Sequence, residues 1–265
     1  MSSTSEPVAA AETRAPHIEV EDLTMAFGSR VVMERLTFTI RRGDIFIIMG
    51  GSGSGKSTLM RHLVGLQRPA AGTIRFCGVS MWEASPDEQA MLQRRLGIMY
   101  QQGALWTSMT LAENVALPLQ TYTRLSPEAI SELAEYKLSL VGLAGFGDFF
   151  PSEISGGMRK RAAIARAMAL DPEILFLDEP GAGLDPITSR LLDDLILELR
   201  QTLGMTIVIV THELASIFAV GDNSVFLDAE TRTMSACGNP SWLVEHTGDP
   251  KLRAFLTRGA LEPAA

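Results

Sequence analysis

The sequence predicts an α/β fold: a parallel-sheet core, a small antiparallel β region ahead of it, and a helical subdomain inserted into it. Three observations carry this expectation. The runs Ile45-Phe46-Ile47-Ile48-Met49 and Ile207-Val208-Ile209-Val210 are wholly apolar and of strand length, as strands buried on both faces are. Beyond residue 170, strand-like and helix-like segments alternate, which calls for parallel strands joined by helical crossovers. Between about residues 86 and 165 the pattern is instead mostly helical.

Taken in order, residues 1–16 are rich in Ser, Ala, Thr and Glu and lack a basic start followed by an apolar core. They read as a disordered leader and not as a signal peptide or anchor. Segments 18–23 and 36–40 alternate as short strands, the second ending in the turn Arg41-Arg42-Gly43-Asp44. The buried strand 45–49 precedes a glycine loop and a helical run from Lys56 to about Gly65, and residues 72–80 read as another strand and turn. Ser85-Pro86-Asp87-Glu88 starts a helix, with Ser as cap, Pro in the first position and Glu three residues on. Ser126-Pro127 opens another, with Ile130, Leu133, Ala134, Leu138 and Val141 on one face and Gly142 as its stop. Strand 174–177 leads to a helix over about 187–203, with Leu191, Leu192, Leu195, Ile196 and Leu199 turned inward and Gly204 closing it. Strand 206–210 follows.

The 265 residues suit one large domain, or one domain with a subdomain. With 23 Lys+Arg against 31 Asp+Glu the net charge is −8, which argues against a nucleic-acid partner. Hydrophobic residues make up 46%, so the chain is not a disordered one. No apolar run approaches the roughly 18 residues a membrane helix needs, so the chain is not expected to cross a membrane by itself. Cys77 and Cys237 have no CxxC partner, which argues against a metal site, and the cytoplasm is the expected compartment.

Chemistry concentrates in a few segments. Gly50-Gly51-Ser52-Gly53-Ser54-Gly55-Lys56-Ser57-Thr58 matches the phosphate-loop pattern G-x4-G-K-[ST], placed between a buried strand and a helix. Its glycines let backbone N–H groups curl around phosphate oxygens, Lys56 adds charge at the β/γ-phosphates, and Ser57 offers a hydroxyl to Mg2+. Asp178-Glu179 follows an apolar strand. Such a pair can hold Mg2+ and polarise an attacking water, but alone it equally suits a solvated loop; the phosphate loop tips the reading toward a nucleotide site. His212 lies just past strand 206–210, where a neutral imidazole can donate to a γ-phosphate. Parallel strands deliver functional residues at their C-terminal ends, so Lys56, Asp178 and His212 are expected to converge on one site. Ser155-Gly156-Gly157-Met158 is a second glycine turn feeding a helix N-terminus, either another anion site or a plain cap. The triplet Arg159-Lys160-Arg161 after it reads as a solvated helix face.

Taken together and in order, these segments resemble the ATP-binding cassette (ABC) ATPases over about residues 18–240. The matching set is the phosphate loop, Gln101, Ser155-Gly156-Gly157, Leu177-Asp178-Glu179-Pro180, Gly183-Leu184-Asp185 and His212. The resemblance implies ATP and Mg2+ as ligands, an ABC-type nucleotide-binding domain over 17–240 with its helical subdomain at about 86–165, and a C-terminal extension at 241–265. It implies that Phe27 stacks on adenine, and that Ser57, Asp178 and Gln101 serve Mg2+. It makes Glu179 the catalytic base, His212 the γ-phosphate switch, and Gln101 the link to a membrane partner. Asp185 would lie in a dimer-crossing loop, and Ser155, Gly156 and Gly157 would bind the ATP held by a second copy.

The family signature usually reads Leu-Ser-Gly-Gly-Gln; here Ile154 and Met158 replace its ends. That ending, the run Gln101-Gln102-Gly103-Ala104-Leu105-Trp106, the segment Gly181–Thr188 and the tail Asp249-Pro250-Lys251-Leu252-Arg253-Ala254-Phe255-Leu256 are similar to the ATPase subunit of Mla/MCE-type lipid transporters. This implies a homodimer on the cytoplasmic face of a bacterial inner membrane, bound to a permease dimer, with an MCE-domain substrate-binding protein and a small STAS-type regulatory subunit as further partners. The alternative is the ATPase of a small-solute importer. A soluble ABC protein of DNA repair or ribosomes fits badly, for the chain has one phosphate loop and no long heptad run. A pure ATP-binding regulator is disfavoured by the presence of both Glu179 and His212. Trp106 and Met109, large and apolar in a segment read as a loop, mark either a docking groove for the membrane partner or part of the helical core.

Overall fold

A computed structural model describes residues 14–257; most of the expected leader and residues 258–265 of the expected C-terminal extension lie outside the described residues. The described residues divide into two compact units, one of residues 14–92 with 222–257, the other of residues 93–221.

In the first unit, Pro16–Phe27 and Arg30–Arg41 form an antiparallel pair, with Ile18 opposite Ile40 and Phe27 opposite Arg30. Ala71–Phe76 lies antiparallel along the other edge of Pro16–Phe27, Ile18 facing Phe76. Both long strands extend well past the segments 18–23 and 36–40. The register shifts between Val20 and Leu23, where Asp22 has φ 50. Ile18 and Val20 before the bulge and Leu23 and Met25 after it are all buried, a change of phase that ends a strict two-residue alternation. Ile45–Gly50 is buried throughout and pairs in parallel with Asn223–Asp228, to which Thr233–Gly238 adds an antiparallel edge. Phe38 stacks on Phe46 at 5.4 Å between ring centroids. Helices Pro240–His246 and Pro250–Leu256 start on Asn239 and Asp249. The second is fastened by Phe255 against Phe226 and by Lys251 to Asp228 and Glu230.

In the second unit three parallel strands, Leu96–Met99, Ile174–Asp178 and Thr206–Val210, run side by side with Ile174–Asp178 in the middle. Leu96–Met99 falls inside the span that reads as mostly helical. It has four residues, and Gly97 blunts its apolar pattern. Glycine is demanded there: a Cβ would stand 2.4 Å from the Ala167 carbonyl oxygen and 2.8 Å from Pro172.

Several helices begin on side-chain caps. Ser85 and Glu88 bond reciprocally at Pro86–Arg94, Thr110 and Glu113 form a capping box at Leu111–Tyr122, and Ser126 caps Pro127–Leu140. Pro186–Leu203 starts on Asp185 and stops at Gly204, whose φ of 65 is the left-handed turn that ends a helix. Its inward stripe is narrower than the apolar residues suggest. Leu192, Ile196 and Leu199 are buried, but Leu191, about 100° around the helix from Leu192, is 62% exposed. Among the described residues no helix is long and apolar enough to cross a membrane.

Candidate nucleotide site

In the first unit, the buried strand Ile45–Gly50 delivers the phosphate loop to the N-terminus of helix Lys56–Leu63. A Cβ on Gly50 would lie 2.6 Å from both the Leu227 carbonyl oxygen and Ser54 Oγ, so the loop closes as tightly as only glycine permits. Lys56 Nζ donates to the carbonyls of Gly50 at 2.9 Å and Gly51 at 3.0 Å, which curls the loop around the ammonium. Ser54 Oγ is buried and has no hydrogen-bond partner among the described residues. The helix begins on Gly55 without a side-chain cap, so its first N–H groups face outward for an anion. Phe27, at the end of Pro16–Phe27, is 51% exposed.

In the second unit, Ile174–Asp178 ends at buried Asp178, and Glu179 follows with φ 48, a costly conformation for a residue with a side chain. Its N–H donates to the Val210 carbonyl at 2.8 Å. Its Oε1 meets His212 Nδ1 at 2.8 Å, while Oε2 is buried without a hydrogen-bond partner among the described residues. His212 keeps 61% of its side chain exposed. This contact constrains the expected donor role. A neutral ring that donates from Nδ1 to a carboxylate offers only a lone pair at Nε2. Donation to a phosphate then requires a doubly protonated ring or release from Glu179.

The Gln101 turn, the signature and the loop before Asp185 share one cleft of about 450 Å³, lined by Gln101, Gln102, Gly156, Arg159, Lys160 and Gly183, among others. Ser155 Oγ accepts from Met158 N at 3.2 Å and so caps helix Gly156–Ala167 of its own chain. Gly157 is glycine for packing: a Cβ would meet Thr188 Cγ2 at 2.5 Å. Asp185 accepts from the N–H groups of Ile187 and Thr188 and from the Thr188 hydroxyl at 2.5 Å, and these bonds, the hydroxyl first, hold its carboxyl below the usual carboxylate range.

The triplet 159–161 is not a solvated face. Arg159 is exposed and donates to the Ile154 carbonyl, Arg161 donates to those of Val141 and Gly142, and Lys160 is only 9% exposed. The Lys160 ammonium donates to the carbonyls of Gln101 and, at 3.3 Å, Glu179. Burial pushes its pKa down, opposed by the carboxylates of Glu213, Glu179 and Asp178. Arg166 donates to the carbonyls of Gly103 and Ala104, and Asn114 holds the next turn by four bonds to Trp106, Met109 and Thr110. Lys160, Arg166 and Asn114 carry no motif of their own; the signal for Lys160 is that three consecutive helical residues lie about 100° apart and cannot all face solvent.

A profile of the ABC transporter family matches residues 33–182. The probable ribonucleotide transport ATP-binding protein mkl of Mycobacterium tuberculosis is 39% identical over 246 residues, 93% of this chain and 68% of the relative. The chain belongs to the ABC transporter ATP-binding family. The intermembrane phospholipid transport system ATP-binding protein MlaF of Escherichia coli is 37% identical, over 90% of this chain and 88% of its own. Among solved structures, the ATP-binding cassette MJ0796, a dimer in a post-hydrolysis state bound to ADP and Pi, matches with a TM-score of 0.74 at 29% identity, covering 84% of this chain and 98% of that one. The cbiO1 structure from Clostridium perfringens matches with a TM-score of 0.80 at 27% identity, covering 88% of this chain and 92% of that one. This chain is therefore an ABC-type ATPase with the α/β fold that its sequence predicts.

The residues present fit a nucleotide with a hard divalent cation. In the first unit Ser57 is an oxygen donor of the kind Mg2+ takes, and Ser54 Oγ is buried without a hydrogen-bond partner among the described residues; in the second, Asp178 and Gln101 are such donors, and Glu179 Oε2 is likewise buried without one among the described residues.

Proposed function

We propose that this ABC ATPase powers the movement of phospholipid through a separate membrane permease. The observation that carries the proposal is its 37% identity, over 90% of its length, to the E. coli relative named for intermembrane phospholipid transport. The Ser155-Gly156-Gly157-Met158 signature and the Gln101–Trp106 run support the same reading. Small-solute transport is the second reading, favoured by the mycobacterial relatives named for ribonucleotide transport.

In the proposed mechanism Lys56 and the phosphate-loop amides hold the β- and γ-phosphates of ATP, and Phe27 stacks on adenine. Ser57, Asp178 and Gln101 would hold Mg2+, which when bound neutralises phosphate charge and orients the γ-phosphate. Glu179 takes the proton of the attacking water, with His212 fixing the carboxylate through Oε1. Two copies act together: Ser155, Gly156 and Gly157 of one copy face the ATP held by the other, and Asp185 lies in the loop that crosses between them. The dimeric relative MJ0796 supports this arrangement. The further partners proposed are a permease dimer, an MCE-domain substrate-binding protein and a STAS-type subunit, at the cytoplasmic face of a bacterial inner membrane.

Purifying the tagged chain from membranes of its native host tests the proposal. A co-purifying permease that retains phospholipid, with ATP hydrolysis stimulated by phospholipid vesicles, is the expected result. A permease accompanied by a solute-binding protein and no lipid overturns it in favour of the second reading.

A further inference from the structure

Lys160 is a buried charge that the proposed mechanism leaves unused. It sits in the first turns of Gly156–Ala167, and its amine reaches the carbonyls of Gln101 and Glu179. Gln101 follows Leu96–Met99 and Glu179 follows Ile174–Asp178, and these strands are neighbours. One ammonium therefore ties together the turns that leave two paired strands. A buried amine is costly unless its donors and its charge are met; here two carbonyls accept from it, and the nearby carboxylates of Glu213, Glu179 and Asp178 stabilise its charge.

The Glu179 peptide needs such support. Its φ of 48 is strained, and it is held by its N–H on Val210 and by Lys160 on its carbonyl. The same helix grips the Gln101 turn again through Arg166, whose fork takes the carbonyls of Gly103 and of Ala104, the latter at φ 49. The helix that begins at the signature thus holds both the Gln101 turn and the Glu179 peptide by their backbones.

We propose that Lys160 is a positioning residue: by bonding both carbonyls it fixes the orientation in which Glu179 presents its carboxylate and passes a displacement of the Gln101 turn to Glu179. This rests on the reading of Glu179 as the base. Lysine suits the position because its compact ammonium aims donors in separate directions, and arginine carries the same charge with enough donors to replace it in part.

The test is steady-state ATP hydrolysis by the full chain carrying Lys160→Met. The expected result is a kcat lower by roughly tenfold or more with a KM for ATP within about threefold of wild type, the pattern of an interaction lost in the transition state. Lys160→Arg, which keeps the charge and the donors, should regain about a third or more of the wild-type kcat. A Lys160→Met kcat within about twofold of wild type overturns the proposal, as does a Lys160→Arg no better than the methionine variant. A fall in unfolding temperature with kcat unchanged marks a merely structural lysine and also overturns it. If the methionine variant does not fold, Lys160→Gln, which is uncharged but keeps a donating NH2 group, takes its place with the same readouts. Glu179→Gln measured alongside separates the two readings: full activity there removes the base assignment, while an inactive Glu179→Gln beside a fully active Lys160 variant removes the positioning role alone.

Discussion

Glu179 carries its chemistry in the contrast between its two oxygens. Oε1 is engaged by His212, and Oε2 is buried with no partner among the described residues. A carboxylate left so is a strong acceptor for the proton of a water. Glu179→Gln keeps the shape and the His212 contact but removes the basicity. Hydrolysis should fall by about 10²- to 10⁴-fold while ATP binding survives, since Asp178 and Lys56 are untouched. ATP turnover beside equilibrium nucleotide binding checks this, and near-normal turnover would place the base elsewhere. The acidic pair was legible in the sequence because it directly follows an apolar strand, and parallel strands deliver functional residues at their C-terminal ends. The left-handed backbone of Glu179 was not, for nothing in Leu-Asp-Glu-Pro marks a positive φ. Lys160 was hidden for a different reason: a buried lysine is spelled like a solvated one, and the carbonyls that receive it come from segments 59 and 19 residues away.

Elements were legible where caps and stops were spelled out, as at Ser85, Ser126 and Gly204, and were lost where a bulge or a glycine broke the period, as at Asp22 and Gly97. Trp106 illustrates a segment whose role the residues alone left open. Asn114, fully buried, holds the backbone of 106–110 in one shape, and Trp106 stands 58% exposed on that preformed turn. The core reading therefore fails for Trp106, while Met109 is half-buried. Trp106→Ala should leave folding and basal hydrolysis of the free subunit intact and abolish its assembly with the membrane partner. Thermal unfolding and co-purification test this, and an unfolded free subunit would show that the ring is structural. A second contact ties helix Pro186–Leu203 to Leu214–Val220, where buried Asp193 accepts from the Ser216 hydroxyl at 2.9 Å. Burial raises the Asp193 carboxyl from 3.8 to about 6, more than the Ser216 bond lowers it. The folded state thus binds more protons than the unfolded state between these values. The contribution to stability is full below pH 3.8 and is lost as pH rises through about 6. Asp193→Asn retains an acceptor for Ser216 and should raise the unfolding temperature at about pH 8 but scarcely at about pH 4. An equal gain at both would mean that ionisation is not the cause.

For the whole molecule, the ordered run of motifs along the chain carried more than any single one, because each glycine turn or acidic pair alone has an ordinary structural use. The structure adds that two signature residues have such uses: Ser155 caps its own helix, and Gly157 makes room for Thr188. A reading in which they also serve the nucleotide of a second copy must therefore be separated from simple folding defects. Mixing two damaged chains does so. A Lys56→Ala chain keeps its signature, and a Ser155→Arg chain keeps its phosphate loop. Their heterodimer then has one composite site with both parts intact and one with both parts broken. Random mixing makes about half of the dimers mixed, so a twofold dimer with independent sites should recover about a quarter of the wild-type rate where each parent alone is inactive. Loss of the Ser155 cap costs about 0.5–2 kcal/mol, so the Ser155→Arg chain must first be shown to fold and to bind ATP at its own phosphate loop. If the two sites fire only together, the rate stays near zero, yet ATP should still draw the mixed chains into a dimer on gel filtration. Neither rate nor ATP-dependent dimer in the mixture, or full-rate hydrolysis by a monomer, would show that Ser155 acts only as the cap of its own helix.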